Sequence, residues 1–125
     1  MEQKFFICEH CGNIIGMIHD SGVSIVCCGE NMKKLEPGTV DASREKHVPV
    51  VTTRDNFVKV SVGSVAHPMI VEHSILWIYL QTDKGGHRKC LNPGELPEVT
   101  FALENEKPVA AYAYCNLHGL WKMDI

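Results

Sequence analysis

The sequence predicts an all-β protein in two unequal parts: a small metal-bound N-terminal domain, residues 1–36, and a seven-stranded β-sandwich, residues 37–125. Three observations lead there. Beyond residue 38, seven apolar runs recur at strand length with turn signals between them. No segment shows the period of a convincing amphipathic helix. Residues 1–36 hold four of the six cysteines but little core-forming material, so this piece needs a metal to fold.

The elements follow in order. Residues 5–7, 14–18 and 23–26 are short apolar runs that predict short strands, with the turn signal Asp20-Ser21-Gly22 between the last two. Glu36-Pro37-Gly38-Thr39 breaks the pattern and marks the boundary. Residues 48–53 predict the first sandwich strand, closed by Arg54-Asp55-Asn56. Residues 57–62 alternate strictly, with Val58, Val60 and Val62 on one face and Phe57, Lys59 and Ser61 on the other. Residues 75–81 form a strongly apolar run ending at Asp83-Lys84-Gly85-Gly86. Residues 87–91 end at Asn92-Pro93-Gly94, and residues 99–103 at Glu104-Asn105-Glu106. Residues 109–114 and 120–123 complete the sandwich.

Charge and composition narrow the function. Lys plus Arg number 12 against 15 Asp plus Glu, a formal charge of −3. That argues against a nucleic-acid partner, which is normally met by a basic excess. With 45% hydrophobic and 22% charged residues, the balance is that of a folded protein. No apolar run approaches the ~18 residues of a membrane span. The opening stretch through Cys8 is too short to read as a secretory signal. The expected compartment is therefore the reducing cytoplasm, where clustered thiols point to metal or redox chemistry rather than disulfides.

Cys8-x-x-Cys11 and the adjacent pair Cys27-Cys28 offer four thiolates that one tetrahedral ion can gather. Soft sulfur ligands suit iron or zinc, and composition does not separate the two. Adjacent ligands are unusual and should distort the sulfur–metal–sulfur angles. His10, between the first two cysteines, reads as a solvated residue of the turn.

A second set of ligands lies at the predicted strand ends. Glu45-Lys46-His47-Val48-Pro49 opens the larger domain, His67-Pro68-Met69-Ile70-Val71-Glu72-His73 fills a loop, and Cys115-Asn116-Leu117-His118-Gly119 separates the last two strands. A sandwich gathers such loops at its ends. The two-residue gap from Cys115 to His118 is ligand-like, and Pro49 and Pro68 stiffen the chain beside His47 and His67. Spacing points to a mononuclear transition-metal site. A copper site built on Cys115, His118 and Met123 with one upstream histidine is one candidate, but it leaves two imidazoles unused and gives Glu45 and Lys46 no part.

Taken together, these motifs resemble desulfoferrodoxin, the two-iron form of superoxide reductase. The resemblance spans nearly the whole chain, including Cys27-Cys28 and the motifs Glu-Lys-His-Val-Pro, His-Pro-Met and Cys-Asn-x-His-Gly in order. It implies that residues 1–36 are a desulforedoxin-like domain in which Cys8, Cys11, Cys27 and Cys28 bind a first iron. It implies an immunoglobulin-like sandwich in which His47, His67, His73 and His118 give equatorial nitrogens to a second, catalytic iron, with Cys115 axial. Lys46 would lie near the open position, and Glu45 would ligate the oxidised iron. The implied reaction reduces superoxide to hydrogen peroxide, detoxifying it, with electrons from rubredoxin or a similar donor, in a homodimer. Cys90, His19 and His87 fall outside the motifs and read as structural or surface residues.

Overall fold

The computed structural model describes residues 2–125, which form two compact units divided between Glu36 and Pro37. No helix among the described residues is long and apolar enough to cross a membrane.

The first unit contains β1 (Phe5–Ile7), β2 (Ile14–Gly16), β3 (Val26–Cys27), β4 (Glu30–Asn31) and β5 (Lys33–Lys34). Its larger sheet runs β2-β1-β5, and β3 and β4 pair as a separate hairpin. Phe5 and Cys8 are its only fully buried described side chains. Two residues make no core that could offset the entropy of ordering the chain, so cross-linking through a metal is what this unit needs.

Two of the strands expected here are corrected. The run 14–18 stops pairing at Gly16, leaving Ile18 fully exposed. Of residues 23–26 only Val26 is in a strand, and Val23 is 74% exposed. That apolar run has no larger sheet to cover it, so hydrophobicity alone does not make it a ladder. The turn before it is real: Gly22 N–H donates to Asp20 Oδ1 at 2.8 Å, with Gly22 at φ +90°.

The second unit contains α1 (Arg44–His47) and seven strands: β6 (Pro49–Arg54), β7 (Phe57–Val62), β8 (Ile75–Thr82), β9 (Gly85–Cys90), β10 (Glu98–Ala102), β11 (Pro108–Cys115) and β12 (Gly119–Asp124). They form an antiparallel sheet of order β10-β7-β6 and another of order β12-β11-β8-β9. Between the sheets, Val58, Val60, Val62, Phe101 and Leu103 meet Ile78, Leu80, Ala111, Ala113 and Cys115. The alternation of residues 57–62 is thus realised, as in a sandwich with one face of each strand inward. On the other face of β8 and β11, Trp77 and Tyr114 stack at 5.5 Å.

The helix α1 is a single turn in an otherwise all-β unit. A single turn is too short to show a helical period in sequence. It ends because Val48 precedes Pro49, which excludes the helical region: Val48 sits at φ −69°, ψ 124°. The strand pairing sets one end of the unit. Pro49 at the start of β6 faces Val62 at the end of β7, and Cys115 at the end of β11 faces both Ile75 and Gly119. His47, His67, His73, Cys115 and His118 all lie at or just beyond these points.

Candidate metal centres

In the first unit the ligand atoms of Cys8, Cys11, Cys27 and Cys28 lie within 4.8 Å of one another. Cys8 follows β1 in a turn closed by two backbone bonds: Cys8 N–H donates to Asn13 O, and Gly12 N–H donates to Cys8 O, both at 2.8 Å. The adjacent pair has a local explanation. Cys27 and Glu30 close a two-residue hairpin whose central residues, Cys28 (φ 53°) and Gly29 (φ 76°), are both left-handed. Such primed turns match the strand twist but carry a cost of about 1–2 kcal/mol for a non-glycine residue. The left-handed twist lets Cys28 turn its sulfur back beside that of Cys27.

Electrostatics in this cluster call for a cation. The Cys11 backbone N–H, directed at the Cys8 sulfur, lowers the Cys8 thiol to about 6. The neighbouring sulfurs of Cys11 and Cys8 push Cys28 up to about 12, and that of Cys8 also raises Cys27. One thiolate forms easily and its neighbours resist, as like charges at close range must without a metal between them. Asn13 Nδ2 donates to Cys27 Sγ at 3.7 Å. His10, expected to be solvated, is exposed and pairs with Glu30 at 3.0 Å.

The second cluster is built from five side chains. Ligand atoms of His47, His67, His73 and Cys115 lie within 4.8 Å of one another. His118 joins them through Nδ1, which is 3.1 Å from His47 Nε2 and 3.8 Å from Cys115 Sγ. The rings form a closed circuit. Centroids are 4.7 Å apart for His47–His67, 4.6 Å for His67–His73, 5.1 Å for His73–His118 and 4.9 Å for His118–His47. Each neighbour pair is tilted by 75–89°. The diagonal His47–His73 is longer, 6.4 Å, and its rings are inclined by only 30°. Four imidazoles thus mark the corners of a square, and the fully buried Cys115 sulfur approaches all of them from the core.

The proton arrangement fits a cation at the centre. His47 Nδ1–H donates to Ser43 O at 2.6 Å, and His67 Nδ1–H donates to Pro68 O at 2.7 Å. Both carbonyls can only accept, so each neutral ring keeps a bare Nε2. Those two bare nitrogens face each other at 3.2 Å with no proton to share. His73 Nε2 is buried and has no partner among the described residues. Adding protons does not resolve this, because burial lowers His67 to about 4 and lowers His47 and His73 as well. Lone pairs converging in a dry site are what a transition metal satisfies, and carbonyl partners on the far nitrogens are the usual outer support of ligating histidines.

Glu45 and Lys46 are exposed on α1, directly before His47. The Lys46 charge reaches the cluster: it is among the influences that lower His47 and His73. The copper alternative is not assembled. Met123 pairs with Ala111, four residues along β11 from Cys115, which places it ~13 Å away at strand rise. Cys90 is exposed in edge strand β9, His19 is exposed, and His87 pairs with Glu106 at 3.1 Å.

Trp121 escapes the sequence reading. Its ring lies 4.9 Å from that of His47, and its Nε1–H donates to His118 O at 3.0 Å. Within an apolar strand it reads as core, and only its three-residue offset from His118 hints at more.

Comparison with known proteins agrees with this geometry. The family model for desulfoferrodoxin matches residues 39–124, and the model for the desulfoferrodoxin N-terminal domain matches residues 1–35. A desulfoferrodoxin from Nitratidesulfovibrio vulgaris is 48% identical over 123 residues, covering 98% of this chain and 97% of that protein. The superoxide reductase from Treponema pallidum superposes with a TM-score of 0.84 at 45% identity, over 99% of this chain and 100% of its own. A superoxide reductase (1Fe-SOR) from Giardia intestinalis covers 65% of this chain and 99% of its own, with a TM-score of 0.54 and 32% identity. With both units matched and both ligand clusters assembled, the chain belongs to the desulfoferrodoxin family.

Proposed function

We propose that this chain is a superoxide reductase, converting superoxide to hydrogen peroxide at the His47, His67, His73, His118 and Cys115 centre. One observation carries this reading: a square of imidazoles backed by a buried thiol. A structural zinc site needs no fifth ligand. Iron held there supplies a one-electron couple, and the sulfur ligand raises its electron density, a lever shared with haem–thiolate proteins. Residues 1–36 are the domain that would hold the first iron through Cys8, Cys11, Cys27 and Cys28, and residues 37–125 are the catalytic domain.

The side chains divide the remaining work. His47 and His67, fixed as Nδ1–H tautomers by Ser43 O and Pro68 O, remain neutral ligands. Neutral imidazoles with a single thiolate leave a divalent centre net positive, which favours an anion. Lys46 adds an exposed cation beside it, so local potential draws superoxide in despite the overall charge of −3. Its Nζ is the proposed donor to the incoming oxygen and organises the water that supplies protons. Glu45 is the carboxylate that would bind the oxidised iron and leave it on reduction. Reduction adds an electron and protons and leaves the O–O bond whole.

A rubredoxin-like electron donor and a homodimer, both implied by the family resemblance, and a cytoplasmic setting, in keeping with the clustered thiols, are parts of the same proposal. The test is superoxide consumption by iron-loaded protein with Cys115→Ser, His73→Ala and Cys11→Ser variants. The first two should lose the reaction and the third should retain it. Wild-type rates in Cys115→Ser and His73→Ala would refute the assignment of the site.

A further inference from the structure

Asn116 has no part in the ligand set, yet its side chain joins two of the loops that carry ligands. Its Oδ1 accepts from Ser74 N–H at 3.0 Å, and its Nδ2 donates to Glu72 O at 3.0 Å. Its own backbone N–H donates to Ser74 O at 3.2 Å. These three bonds bracket His73 on both sides, from a residue that directly follows Cys115 and precedes His118 by two positions.

The backbone explains why a side chain is needed here. The ladder between β8 and β11 slips register between Tyr114 and Cys115, so regular pairing ends at Ile75. At the slip, Ile75 N–H turns to Met69 Sδ at 3.3 Å. Beyond it, a carboxamide offers the same donor and acceptor as a peptide group and extends the pairing past the point where the backbones diverge. Asp lacks the donor, and Ala offers neither group.

We propose that Asn116 is a positioning residue for the His/Cys centre. It holds the His73 loop against the Cys115–His118 turn, so that His73 Nε2, buried and without a partner among the described residues, would meet a metal already oriented. The proposal rests on the reading of His73, Cys115 and His118 as metal ligands. Outer partners of this kind typically set metal affinity by roughly 10- to 100-fold.

The test uses the full chain, loaded anaerobically with Fe2+ alone, with iron release to a ferrous chelator followed by absorbance. The release phase that His73→Ala abolishes reports the His/Cys centre. Asn116→Ala should speed that phase roughly 10- to 100-fold and leave the four-cysteine phase unchanged. Asn116→Asp, which keeps an acceptor for Ser74 N–H but loses the donor to Glu72 O, should fall between Ala and wild type. The thermal midpoint of the metal-free protein separates positioning from general stability. If Asn116→Ala lowers that midpoint and leaves release at the wild-type rate, the side chain only pins the fold and the proposal is overturned. If both quantities match wild type, it is likewise overturned. If His73→Ala itself leaves every release phase intact, the ligand reading fails first, and the inference falls with it.

Discussion

Gly63 offers the sharpest perturbation of the superoxide site without touching a ligand. It lies just past β7, under the single helical turn that carries Glu45, Lys46 and His47. A Cβ built on Gly63 would stand 2.5 Å from Glu45 O and 3.0 Å from the Lys46 carbonyl carbon. Its φ lies outside the left-handed region, so the perturbation that alanine introduces is this contact. Relief requires the two segments to part by about 1 Å to reach ordinary van der Waals contact. Glu45 O also accepts from Val65 N–H at 2.9 Å and Ser64 Oγ–H at 3.2 Å, and parting stretches both bonds. Overpacking of this kind costs about 1–3 kcal/mol of stability. A displacement of about 1 Å in a positioned group costs up to ~100-fold in rate. Gly63→Ala should therefore slow superoxide consumption by about 10- to 100-fold while the four-cysteine absorbance stays unchanged. Pulse radiolysis of reduced, iron-loaded protein measures the first bimolecular step directly. Ser64→Ala, which removes one of two bonds to the same carbonyl, should cost about 1 kcal/mol or less and leave the rate near wild type. A Gly63→Ala protein with a full iron complement and the wild-type rate would refute the claim that the placement of α1 matters to the reaction.

The remaining predictions address charge, metal and pH. Lys46→Ala should slow the reaction with superoxide and flatten its dependence on ionic strength; an unchanged salt slope in stopped-flow or radiolysis data would rule out steering by this cation. Cys11→Ser should unfold residues 1–36, which have two buried side chains among the described residues, and leave the sandwich melting as before. Amide exchange would show this as protection lost in one unit only. Metal-free protein should lose stability as pH falls from 6.5 towards 4. His67 is held at about 4 in the fold against 6.5 when unfolded, so across that window the unfolded chain binds more protons. His67 alone accounts for about 3 kcal/mol, with His47 and His73 adding in the same direction. Urea midpoints that do not move between pH 7 and pH 4.5 would contradict the buried, neutral state of these rings.

Much of the molecule is legible in the sequence because its patterns are local. Val58, Val60 and Val62 alternate into the core, and turn residues bound the sandwich strands to within two residues. The two ligand clusters are also visible, since cysteine and histidine are scarce and their spacings are distinctive. What stays hidden depends on contacts across the fold. The turn α1 spans a single helical turn, too short for a period to repeat, so Lys46 and Glu45 read as loop residues. The exposed run at residues 23–26 looks like a strand because apolar residues ordinarily seek a sheet, whereas this unit relies on its four cysteines more than on a core. That His47 and His67 present Nε2 follows from the Ser43 and Pro68 carbonyls at their Nδ1, and no spacing rule encodes this or the approach of His118 through Nδ1. Trp121 and Asn116 look like a core residue and a turn residue until their partners, His118 O and the Glu72–Ser74 backbone, are seen.

The central claim is that the His/Cys centre reduces superoxide rather than dismutating it. The most direct measurement is hydrogen peroxide formed per superoxide consumed, using reduced, iron-loaded protein with a continuous electron donor. The account predicts one peroxide for each superoxide, with donor oxidised in step and no oxygen released. One peroxide for every two superoxides, with oxygen evolved and the donor untouched, would contradict it.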